Sequence, residues 1–216
     1  MRTRHHIVTG LLGVALTACA SSAGGGTSVG PGVPSSTSTP PSMHTHSTSP
    51  LPVESPVPVE SNPPGDIPDN TVYVPFRDQS AGIRITVPEG WSRTQKGSTV
   101  SFTDKLNTIA VSSTSSSAAP SVASATANEV PELRRSTLAF RLKNVSSVTL
   151  SAGQAVLIEY QINSTPNRVT GKQYRLDVQR FEFFKGGTEG IVTLASPVGA
   201  DNVDPWRTVT ESFAWV

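Results

Sequence analysis

From residue 71 onward the hydrophobic positions recur mainly with a period of two, the pattern of half-buried strands. Ile83, Ile85 and Val87 alternate with Arg84 and Thr86 until residues 88–90 (Pro-Glu-Gly) end the run. Val100 and Phe102 form a second short alternation, and residues 104–107 read as a turn into a strand that carries Ile109 and Val111. Val156, Ile158, Tyr160 and Ile162 hold a strict alternation. Residues 174–184 and 190–196 flank a glycine-containing hairpin loop at 185–189. Within 174–184, Leu176 and Val178 have one parity and Phe181 and Phe183 the other. Either the strand bulges near Gln179 and Arg180, or each of its faces is covered over part of its length.

Helical spacing shows in two places. One run opens at Ser121 after Pro120, with Val122, Thr126, Val130 and Leu133 on one side, and Pro131 is expected to break or kink it. The other begins at Asp204 as cap, with Pro205 in the first helical position and Val209, Phe213 and Val216 at helical spacing. Trp206 and Trp215 widen its apolar stripe.

Before residue 71 the pattern disappears. Eleven of the 18 prolines fall between residues 20 and 70, among Ser, Thr and Gly, with no aromatic residue. Such a stretch buries too little apolar surface to offset its ordering entropy and is expected to be a disordered tether. At the start, Arg2 and Arg4 precede an apolar run over residues 7–16, far shorter than the roughly 20 residues a membrane-spanning helix needs. The run ends in Leu16-Thr17-Ala18-Cys19, which resembles the lipobox of bacterial lipoproteins. That resemblance implies cleavage before Cys19, the only cysteine, and its acylation into a membrane anchor. The expected organisation is therefore a signal peptide at 1–18, a lipidated cysteine and linker at 19–70, and one monomeric domain at 71–216. The expected location is the outer face of the cytoplasmic membrane.

Three stretches of the domain carry a further resemblance. Residues 82–91 run from a strand into Val-Pro-Glu-Gly-Trp, and residues 174–196 form the strand, glycine hairpin and strand. Residues 197–215 lead through Gly-Ala-Asp-Asn and Asp-Pro-Trp to a closing Ser-Phe-Ala-Trp. Together they look like actinobacterial envelope lipoproteins of the LpqN type. The resemblance implies a Mog1/PsbP-like fold of class α+β: a central antiparallel sheet flanked by helices on both faces. It also implies a part in envelope lipid or protein handling, and it brings no catalytic residues.

Composition narrows the chemistry. The formal net charge is +1, which gives no reason to expect nucleic acid as a partner. All four histidines stand at positions 5, 6, 44 and 46, so the domain has neither histidine nor cysteine. Ser-His-Asp and Cys-His catalysis are excluded there, as are the usual nitrogen and sulfur metal sites. His44 and His46 lack carboxylate or thiol partners nearby and read as solvated polar residues. No phosphate-binding glycine motif or nucleophile elbow occurs. No metal or cofactor is expected. Carboxylates remain: Asp177 and Glu182 on one strand, with Asp201 and Asp204 before the last helix. A glycosidase needs two carboxyl groups about 5 to 9 Å apart, one of them desolvated. The favoured expectation is a non-catalytic binding or adaptor module whose partner is an envelope protein or glycolipid. Trp91, Asp201 and Asn202 are the candidate contacts, with Trp91 also explicable as a core aromatic. A carboxylate-dependent envelope glycan hydrolase is the alternative. Arg134, Arg135, Arg141 and Lys143 form a basic cluster that suits anionic lipid or wall polymer, or an ordinary solvated face.

Overall fold

The computed structural model describes residues 54–216. The leader, Cys19 and the linker as far as residue 53 lie outside the described residues.

The chain forms β1 (Tyr73–Asp78), β2 (Ile83–Pro88), β3 (Ser92–Lys96), β4 (Thr99–Asp104) and β5 (Asn107–Ser115) before its first helical run. That run consists of α1 (Val122–Ser124), a π-helical turn (Ala125–Glu129) and α2 (Val130–Ser136). Then come β6 (Arg141–Leu150), β7 (Gly153–Asn163), β8 (Arg175–Lys185) and β9 (Thr188–Pro197). The end is α3 (Val203–Glu211) and β10 (Ala214–Trp215). Seven strands make an antiparallel sheet in the order β3-β4-β5-β9-β8-β7-β6, and β1-β2-β10 make a second, smaller one.

β8 decides between the two readings of its parity. Its pairing with β7 and with β9 is continuous, with no register shift against either neighbour. No bulge exists, so its odd and even residues face opposite sides along its whole length. Phe181 and Phe183 enter a core with Ile83 and Ile85 of β2, Ile109 and Val111 of β5, and Trp206 and Val209 of α3. Leu176 and Val178 enter a separate core with Ile158 and Tyr160 of β7 and with Ala125 and Val130 of the first helical run.

The small sheet is seated on the large one by an absence. Gly190 of β9 lies opposite Phe183, and a β-carbon on it would stand 2.9 Å from Phe213 Cζ and 3.0 Å from Trp215 Cη2. With that space free, Phe213 stacks on Phe183 at 4.0 Å between centroids, and Trp215 packs edge-on against Phe213. The β8–β9 hairpin is tighter than residues 185–189. Lys185 pairs with Thr188, leaving Gly186 and Gly187 as a two-residue turn, each with the positive φ such a turn demands.

Three expectations need correction. Pro131 does not break the first helical run. The Val130 N–H bonds back to the Ala125 carbonyl in a wide π turn, and Pro131 falls in the opening turn of α2, where its missing N–H costs least. The C-terminus is not helical to Val216: α3 stops at Glu211, and Ala214 and Trp215 pair with Arg84 and Ile83. Nor does Asp204 cap α3. Asn202 holds the cap position, and Asp204 lies in the exposed first turn, 2.8 Å from Arg207.

The domain also begins earlier than residue 71. Residues 54–70, assigned above to the linker, lie along the domain as a strap held by three asparagine side chains. At one end Asn163 Oδ1 accepts from the Val57 N–H at 3.1 Å, while its Nδ2 donates to the Ser55 carbonyl at 2.9 Å. At the other end Asn107 Nδ2 donates to the Gly65 carbonyl at 2.7 Å, and Asn202 Oδ1 accepts from the Ile67 N–H at 2.8 Å. A proline-rich segment cannot satisfy its own backbone in a helix, so the side-chain amides do this where Gly65 and Ile67 are buried.

The Gly190→Val variant is expected to lower stability by about 2 to 3 kcal/mol in urea denaturation. Valine favours strands elsewhere, so a stabilised variant would contradict the Phe213 seat.

Candidate functional site

A groove of about 340 Å³ opens between α3 and the face of the large sheet that carries Phe181. Strand alternation supplies its floor: Val148 and Leu150 from β6, Phe181 from β8 and Leu194 from β9. The α3 stripe closes the far wall with Trp206 and Thr210. Polar side chains from the strands and from α3 share the lining. There Lys143 Nζ lies 3.1 Å from Asp177 Oδ1, which also accepts from Gln161 Nε2 at 3.0 Å, and Glu159 accepts from Asn144. Such a groove can hold an apolar group and orient it by hydrogen bonds to the polar side chains of its lining.

The three candidate contacts separate. Trp91 is half-buried and meets Trp206 edge to face at 6.4 Å, so it braces the back of the α3 wall and does not line the groove. Asn202 does line it, but its amide is fully engaged by Gly65, Ile67 and Asn107. Its work is to hold the strap. Asp201 is exposed, and its backbone N–H donates to Asp66 at 3.0 Å. Nothing brings Asp201 into the groove. The groove residues that sequence reasoning missed are Val148, Leu150 and Glu159. The alternation around Glu159 was visible, the strand carrying Val148 and Leu150 was not read, and which strand lies beside which had no local signal.

The carboxylates separate as well. Asp177 faces the groove, while Glu182 points to the opposite side of the sheet, fully buried beneath the first helical run. Glu182 Oε1 receives the Arg180 Nε–H at 2.7 Å. Its Oε2 has no partner among the described residues, and neither does Oε2 of Glu129. Burial pushes the Glu182 carboxyl above the ordinary carboxylate range, with Arg180 pulling the other way and Glu129 adding to the rise. The basic cluster is divided too: Lys143 is committed to Asp177, and Arg134 lies over the Phe140 ring at 5.7 Å.

No family model matches the chain, and no curated protein does. Solved structures similar to it include the cyanobacterial PsbP of Synechocystis, at 15% identity and a TM-score of 0.48, over 72% of this chain and 100% of that one. The Ran-binding protein Mog1p of Saccharomyces cerevisiae is similar at 10% identity and a TM-score of 0.46, over 68% of this chain and 97% of that one. LpqN of Mycobacterium tuberculosis, involved in cell envelope biogenesis, is similar at 16% identity and a TM-score of 0.40, over 68% and 91%. Of a Bacteroides thetaiotaomicron protein that it also resembles, the chain spans 47%. At these identities the likeness is one of chain path alone.

Two variants test these assignments. Asn202→Ala strips partners from buried backbone groups of the strap and should cost about 1 to 3 kcal/mol, with faster proteolysis between residues 54 and 70. For Glu182 the sign follows from its raised carboxyl. As pH rises from the ordinary value of 4.5, the unfolded chain loses this proton first, so stability falls until the folded group also ionises. Urea denaturation at about pH 5 and about pH 8 should show that loss, smaller in Glu182→Gln. An equal loss in both proteins would place its origin elsewhere.

Proposed function

We propose that this chain is a lipid-anchored, extracytoplasmic binding protein of a bacterial envelope. Cys19 holds it at the outer face of the cytoplasmic membrane. The domain is a non-catalytic adaptor: a sheet covered by α1–α2 on one face and α3 on the other, with the α3 groove as the contact for an envelope protein or lipid. The observation that carries this reading is the groove itself, an apolar floor of Val148, Leu150, Phe181 and Leu194 with polar side chains beside it, among them the Lys143–Asp177 pair. The separation of Asp177 and Glu182 to opposite faces supports it, because these two cannot act together on one bond.

Val148→Trp, which fills the groove from its partly exposed floor, should reduce capture of the envelope partner by about tenfold or more while the melting temperature stays within a few degrees. Undiminished capture would exclude the groove. In the same strain, Cys19→Ser should move the protein from the membrane to the soluble fraction, and mass spectrometry should find diacylglycerol on the unmutated cysteine. The hydrolase reading has one observation in its favour: Glu159 and Asp177 both line the groove. Turnover of envelope glycans that is abolished by Asp177→Asn would establish that reading.

A further inference from the structure

The strap enters the domain at one end of the large sheet, and the basic residues collect at that same end. Asn163, at the end of β7, binds Glu54, Ser55 and Val57. The segment between α2 and β6 is joined to this point: the Asn163 N–H donates to the Leu138 carbonyl at 2.9 Å, and Arg175 Nη1 donates to the Ala139 carbonyl at 2.7 Å. Around it stand Arg134 and Arg135 at the end of α2, Arg141 opposite Gln161 on β6, and Arg168 in the loop between β7 and β8. All four are exposed, and none forms an ion pair among the described residues.

The acids nearby do not cancel them. Asp177 is taken by Lys143 and Glu60 by Lys172, Glu54 accepts from the Asn163 amide, and Glu159 accepts from the Asn144 amide. Glu132 stands alone in the first turn of α2. Arg175 adds a buried cation behind the surface, bound to Ala139 and Asn163 with Nη2 unpartnered. Residues 1–53 contain no aspartate or glutamate, so the preceding chain brings no neutralising charge to this end.

We infer that this end is a membrane-contact surface for anionic lipid headgroups, formed by Arg134, Arg135, Arg141 and Arg168 around the point where the strap enters the domain. The inference rests on the proposed anchor at Cys19, because that anchor commits the chain arriving at Glu54 to a membrane. Each cation near an anionic bilayer adds a modest attraction that fades within a Debye length of about 8 Å at physiological salt. Four such cations give an attraction measurable without the anchor at low salt, where the Debye length reaches about 30 Å, and an anchor adds to it by keeping the domain at a high local concentration of lipid. The result is an oriented domain, lying with this end toward the bilayer.

The test uses the mature chain with Cys19→Ser, which carries no acyl group, sedimented with vesicles. One set is phosphatidylcholine and the other contains about 30% phosphatidylglycerol. The expected result is binding to the anionic set alone, weakened by added salt. The combined Arg135→Gln, Arg141→Gln and Arg168→Gln variant should lose about fivefold in partitioning per arginine removed. These three side chains make no hydrogen bond or ring contact among the described residues, so their loss should leave the fold intact, and circular dichroism checks this. Lys96→Gln with Lys185→Gln, at the other end of the sheet, should bind as the parent does. Equal binding to both vesicle sets, no binding to either, or a triple variant that binds as well as its parent would overturn the inference. Anionic-vesicle binding with an unacylated native Cys19 would leave the surface standing and remove the anchor. An acylated Cys19 without vesicle binding would do the reverse.

Discussion

Strand β8 is paired on both edges from Leu176 to Phe183, and neither register slips. With both edges engaged, each side chain's face is set by whether its number is odd or even, and a one-residue slip would exchange two cores at once. The separation of Phe181 and Phe183 from Leu176 and Val178 follows from this, as does the separation of Asp177 from Glu182. The Phe181 face is covered in part by the small sheet, and the groove lies where α3 stands over the rest. The second core exists because the other face is met by Ala125 and Val130.

Side-chain amides hold the strap of residues 54–70 to the domain. Asn107, Asn163 and Asn202 are all buried, each beside the strap, and each supplies hydrogen bonds that the proline-rich segment cannot make within itself. An asparagine suits this work because one side chain carries both a donor and an acceptor. Asn202 shows how one residue serves two structures: its position starts α3, while its amide turns away from the helix toward Gly65 and Ile67. Gly65 in turn must be glycine, since its φ is +147° and a β-carbon would meet Pro197 at 2.8 Å.

The burial of Glu182 has a different character. A carboxylate with no exposed surface and one arginine partner loses solvation that a single ion pair does not fully restore. Its neighbour Glu129 comes from the π turn, whose extra residue also shifts the hydrogen bonding ahead of Pro131. This pairing of acids belongs to the helical face and not to the groove, so the two sides of the sheet carry unlike chemistry.

Local periodicity made β2, β4, β5, β7, β8 and β9 legible, while β1, β3 and β6 were not read. Ile83 to Val87, Val156 to Ile162 and a glycine hairpin loop within 185–189 could be read because alternation and positive-φ residues act within a few positions, and the structure narrowed the loop to 186–187. The absence of histidine and cysteine after residue 46 excluded whole classes of chemistry without any structure. The basic residues near 134–143 were visible as a cluster, but their division between a groove lysine and free arginines was not. What only the tertiary structure decided depends on partners far apart in sequence: the asparagine-bound strap, the strand that replaces the last helical turn, and the groove residues Val148, Leu150 and Glu159. The reason is physical. Alternation tells which residues share a face, but which face is met by a helix, a strap or solvent is set by strand order, and strand order is a contact between distant parts of the chain.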